Sequence, residues 1–148
     1  MGNSDSLDII IGIIRDDIEN INPAAVYYFA KGFIEECKNL RVCKGKIKIE
    51  EVLRYLGYGE ELIMKFENNR SSIEEMLESM NINYKSYENS GREFAEKYFR
   101  YNYIKEIFNI GSERVAELIS RCIYSKSYYF LFRENPLNNK RERVFLHY

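Results

Sequence analysis

The sequence has one histidine, three cysteines and no apolar stretch of membrane-spanning length among its 148 residues, and each scarcity removes a class of chemistry. His147 has no serine, cysteine or carboxylate partner at a recognisable spacing, so neither a Ser-His-Asp nor a Cys-His site is indicated. Cys37, Cys43 and Cys122 are odd in number and form no C-x-x-C pair, which argues against a disulfide framework and against a zinc site. Reduced thiols in the cytosol fit this usage, and a cytoplasmic protein is expected. The longest apolar run, Ile9 to Ile14 broken by Gly12, falls far short of the roughly 20 residues that cross a bilayer. No basic n-region precedes it, because Asp5 and Asp8 stand there instead. The opening Met1-Gly2-Asn3-Ser4-Asp5-Ser6 matches the N-myristoylation pattern, but the first 20 residues carry Arg15 as their only base, and a stable anchor needs a second signal.

Phosphate-cradling loops are also missing: Gly57-Tyr58-Gly59 has no third glycine, and no G-x-x-x-x-G-K-[ST] run occurs. Paired acids such as Glu35-Glu36, Glu50-Glu51 and Glu74-Glu75 are adjacent in sequence and so point about 100° apart on a helix, as a solvated face does. No catalytic residue, cofactor or metal is assigned, and a non-enzyme is expected.

What is present is apolar periodicity. Leu7, Ile10, Ile11, Ile14, Ile18 and Ile21 follow a helical stripe, and Asn22-Pro23 opens a second helix that runs to about Asn39 with Val26, Phe29, Phe33, Ile34 and Cys37 inward. Lys38, Arg41, Lys44, Lys46 and Lys48 then occur with no acid between them, and the alternation with Gly45, Ile47 and Ile49 suits one short edge strand near 44–49 with its lysines outward. Val52, Leu53 and Leu56 form a short helix closed by Gly57, and Leu62, Ile63 and Phe66 continue after a turn. Ser71 to Glu74 and Ser90 to Glu93 have capping-box spacing and mark two further helix starts, separated by a polar, linker-like segment at 81–90.

The last of these helices carries Phe94, Tyr98, Tyr101, Ile104 and Phe108 and stops at Asn109. After the break at Ile110-Gly111, Ser112 caps a helix that buries Val115, Ala116, Leu118, Ile119 and Cys122. Tyr128 to Arg133 and Arg143 to Tyr148 are aromatic and β-branched around the turn-like Glu134 to Lys140, so a C-terminal β-hairpin with a basic tip is expected. The fold expected is mainly α: a single-domain helical bundle, 1–148, with an acidic part over 1–80, a basic part over 91–148 and a winged-helix-like hairpin.

Charge is divided unevenly: residues 1–91 hold 11 basic and 16 acidic side chains, residues 92–148 hold 11 and 7, so the C-terminal part is the positive end. Two segments resemble winged helix-turn-helix proteins. Lys44 to Phe66 is similar to their strand, helix, turn and helix, although Glu60, Glu61 and Glu67 on the second helix would repel phosphate. Tyr103 to Tyr148 is similar to the helix, turn, helix and wing, with the apolar residues one place later than the pattern because Arg114 and Glu117 fall three and six residues after Gly111. The resemblance implies nucleic-acid binding by Ser112, Arg114 and Arg121 on the helix and by Asn139, Lys140, Arg141 and Arg143 at the hairpin tip. The competing expectation is a non-catalytic interaction protein, a subunit, inhibitor or adaptor, that docks aromatic helical faces on a protein partner or on a second copy of itself.

Overall fold

Helix α1, Pro23–Asn39, is buried on every side over its first two turns, from Pro23 through Ala30, and again at Phe33 and Cys37. A helix with no solvated face must sit at the centre of its domain. The computed structural model describes residues 21, 23–79, 83–102 and 109–133. In chain order the remaining elements are α2 (Ile49–Tyr55), α3 (Glu60–Ser79), α4 (Lys85–Asn102), α5 (Ser112–Ile123), a 3₁₀ turn at Lys126–Tyr128 and α6 (Tyr129–Arg133).

Pro23 opens α1 at the position where its missing N–H costs nothing. A Schellman motif closes it: the Val42 N–H donates to the Cys37 carbonyl at 3.1 Å and the Arg41 N–H to that of Lys38 at 3.2 Å. Arg41 takes the left-handed conformation this needs, with φ 58°. Helix α4, with Tyr84 just ahead of it, packs along α1 through Glu88, Gly91, Ala95 and Phe99, and the backbones touch where Gly32 meets Glu88 and Gly91 meets Phe29. Glu88, buried at 8% exposure, is held there by Lys31 Nζ at 3.3 Å and Arg92 Nη2 at 3.6 Å.

Helix α3 covers the tyrosine side of α1. Tyr27 stacks on Phe66 with ring centroids 4.4 Å apart and donates its hydroxyl to Glu67, while Tyr28 reaches Glu74 and packs against Tyr84. The helix start expected at Ser71 corresponds to a kink at Asn69 (φ −122°, ψ 15°), whose side chain donates to the Lys65 carbonyl and across which two helical segments of α3 meet. Helix α4 begins at Lys85, ahead of Ser90.

The expected C-terminal hairpin is corrected. Among the described residues there is no strand, and Tyr128–Arg133, the first arm of the expected wing, is helical. The residues are good strand formers, but tertiary packing decides. Tyr128 and Phe132, four apart, lie on one side of a helical turn, where Phe132 meets the Phe29 ring at 5.1 Å and Tyr128 meets Phe29 at 5.6 Å and Phe94 at 5.8 Å. Arg133 completes the docking by donating to the Ile123 carbonyl at 2.6 Å, one of the orphan acceptors at the end of α5. The second arm, Arg143 to Tyr148, lies outside the described residues, as does the helical stripe over 7–18.

The strand expected near 44–49 is likewise replaced, by a single parallel bridge between Cys43 and Ile110. Lys44 N–H donates to Ile110 O at 2.6 Å and Ile110 N–H to Val42 O at 3.0 Å. Gly45 at φ 65° turns the chain out of the extended conformation, and Ile49 already belongs to α2.

Candidate nucleic-acid interface

Helix α5 places the three expected contact residues that the structure describes, and it engages each of them internally. Gly111, not Ser112, is the N-cap, and no side chain caps the helix. Ser112 Oγ instead donates to Glu51 Oε2 at 2.9 Å, tying the start of α5 to α2. Arg114 donates to the Tyr98 hydroxyl at 3.0 Å and pairs with Glu117 Oε1 at 2.9 Å. Arg121 pairs with the same Glu117 oxygen at 3.0 Å. Hydrogen bonds from Arg114, then from Arg121, hold the Glu117 carboxyl below the usual carboxylate range. The two arginines are therefore gathered around one exposed acid, and with Glu113 nearby the outer face of α5 is close to neutral. Asn139, Lys140, Arg141 and Arg143 lie outside the described residues. The shared acceptor was legible in the i, i+3 and i, i+4 spacing of Arg114, Glu117 and Arg121.

A different cationic surface is built between α1 and α2. Lys38, Arg41, Lys44, Lys46 and Lys48 are all exposed, and among the described residues none of them lies within 4.0 Å of a carboxylate. Of the other twelve described lysines and arginines, seven have an acidic partner: Lys31, Arg54, Lys65, Arg92, Arg100, Arg114 and Arg121. The loop is held at both ends and in its middle. The Schellman motif fixes its start, the bridge to Ile110 fixes Cys43, and Val42 and Ile47 are buried beneath it. Glu36 and Glu50 bound the cations in sequence without interrupting them.

Comparison with protein-family models, with curated proteins and with solved structures found no match.

The cysteines are not poised for chemistry. Cys37 is fully buried, and burial, followed by its neighbour Cys43, raises its thiol far above the ordinary range; Cys122 is pushed up to about 12 by burial alone. A thiol kept protonated is a poor nucleophile and a poor metal ligand. Among the described residues no group of three or more His, Cys, Asp or Glu side chains could hold a metal ion, and no helix is long and apolar enough to cross a membrane.

A shallow groove of about 520 Å³ runs between the end of α2 and the outer face of α5. Tyr55 and Tyr124 flank it, 59% and 64% exposed, with Leu56 and Ala116 among its walls and Glu113, Glu117, Ser120 and Arg121 along its polar side. No local pattern announces it, because its two walls come from segments about 60 residues apart.

Proposed function

We propose that this chain is a small, non-catalytic nucleic-acid-binding protein that holds a phosphate backbone on the basic loop between α1 and α2. The observation that carries the reading is a clustering: five exposed cations without an acidic partner among the described residues stand together on one braced loop, whereas seven of the other twelve described lysines and arginines are matched. Unpaired cations bind phosphate without first giving up an internal partner, and each phosphate neutralised releases condensed counterions. The loop turns Val42 and Ile47 inward and leaves Leu40 exposed at 40%. One exposed apolar side chain falls well short of the apolar face that a membrane-surface helix buries, so this arrangement favours a nucleic acid over a lipid surface. Beside the cations the loop offers only Asn39 as a further side chain able to read a base edge, so binding is expected to be largely tolerant of sequence.

Fluorescence anisotropy with short duplex and single-stranded oligonucleotides at two salt concentrations tests the reading. Engagement of all five cations predicts an affinity loss of roughly 500-fold between 50 and 200 mM salt, and the triple variant K44A/K46A/K48A should reduce the log–log salt slope by about 3. A triple variant that binds like the parent, or a parent that fails to bind at low salt, refutes it.

A second reading, an interaction module with a protein partner, is favoured by the groove between Tyr55 and Tyr124.

A further inference from the structure

The outer stripe of α5 reads Glu113, Glu117, Ser120, Arg121, Tyr124 at helical spacing; Tyr55 and Leu56 border it and Arg133 lies over the Tyr124 ring at 6.0 Å, yet Glu113, Glu117, Arg121 and Tyr124 all remain exposed. Its charges are ordered, with acids in the N-terminal half and the base in the C-terminal half. Glu113 has no ion-pair partner among the described residues, and Arg121, 59% exposed, is held there by the exposed Glu117. Exposed pairs of that kind cost little to rearrange.

We infer that the groove and the outer face of α5 receive a second copy of this chain, with the two α5 helices antiparallel across a two-fold axis. In that arrangement Arg121 of each copy faces the acidic half of the other α5, at Glu113 and Glu117, and the helix dipoles oppose favourably. Ser120 lets the helices approach, and each Tyr124 leaves water against the other copy. A stripe close to neutral in total suits neither a polyanion nor a strongly basic segment, because Glu117 is already shared by Arg114 and Arg121. The surface complements itself when its order is reversed, as an isologous interface requires. The basic loop takes no part, so this association stands or falls separately from nucleic-acid binding.

Sedimentation velocity at about 100 μM, a concentration that populates any dimer with micromolar affinity, tests it with two charge reversals. E113R and R121E each place like charges opposite one another twice per dimer, which should weaken self-association about 100-fold or more. Both positions are exposed, so the fold is unaffected. The parent should sediment near twice 17.7 kDa and each variant alone should shift well towards 17.7 kDa. An equimolar mixture of the two variants should return to the doubled mass, because the base introduced at position 113 of one then meets the acid introduced at position 121 of the other. A monomeric parent, single variants that dimerise like the parent, or a mixture that stays monomeric would each overturn the inference.

Discussion

Gly32 and Gly91 are reciprocal notches in the crossing of α1 and α4. A Cβ on Gly32 would stand 1.9 Å from the Glu88 carbonyl oxygen, and one on Gly91 would stand 2.1 Å from that of Phe29. In both cases the obstacle is backbone, which cannot swing aside as a side-chain tip can. Alanine is the better helix former by about 1 kcal/mol, yet here it should destabilise. Gly32→Ala and Gly91→Ala are each expected to cost about 3 kcal/mol or more in urea unfolding, since the two helices must separate along their length. Gly59→Ala, which meets nothing within 4 Å, should stay within about 1 kcal/mol of the parent. Equal midpoints for all three variants would show that the helices do not touch at these glycines.

Arg41 occupies the left-handed position of the Schellman motif, where a side chain is strained and glycine is not. Arg41→Gly should therefore raise stability by up to about 1 kcal/mol while it lowers nucleic-acid affinity by removing one cation of the loop. Thermal unfolding and anisotropy on the same variant measure the two effects. A variant that gains stability but binds unchanged would remove Arg41 from the interface.

Alkaline pH should unfold the protein early. Burial, followed by neighbouring carboxylates, raises the hydroxyls of Tyr27 and Tyr28 well above their ordinary 10.0, and burial with the Glu78 hydrogen bond pushes that of Tyr84 up to about 12. These groups stay protonated when folded and lose their protons near pH 10 when unfolded, so above that pH the folded state binds more protons and stability falls as pH rises. The contribution is intact below about pH 10 and is progressively lost above it. Denaturant midpoints between about pH 8 and 11 should fall steeply in the parent and less so in Tyr28→Phe. A flat profile in the parent would mean that these hydroxyls are not buried.

Phe132 anchors α6 at zero exposure against Phe29, whereas Leu131 beside it is only half-buried. Phe132→Ala should cost about 3–5 kcal/mol and Leu131→Ala clearly less, both read from denaturant midpoints. Equal costs at the two positions would mean that α6 does not dock on α1 through Phe132.

The helices that the sequence announced most clearly were those with a strong end signal and a one-sided stripe. Pro23 and Asn39 bound α1 as expected, and Val115, Ala116, Leu118, Ile119 and Cys122 are all buried on α5. What periodicity could not convey is that Tyr27 and Tyr28 are buried as well, because a stripe reports one face and α1 has none exposed in its first half. The helix start read at Ser71 lies two residues after the break at Asn69, where two helical segments meet. The hairpin arm at 128–133 failed because strand propensity is a statement about fit to a sheet, and Phe29 and Phe94 offered a helical fit instead. The basic loop was visible as a run of cations, but its distinction, that its charges lack partners among the described residues, depends on the positions of every other acid.

A central helix that precedes α4 and α6 in the chain also sets the order of assembly. Gly32 is 56 residues from Glu88, and Phe29 is 103 from Phe132, so the contacts that bury α1 close large loops and belong to the slow-folding kind. During synthesis, the apolar sides of α1 must wait until α4 and α6 have left the ribosome. A nascent chain arrested ahead of Lys85 would display Phe29 and Phe33 without their cover, a ready substrate for a chaperone that recognises exposed aromatic segments.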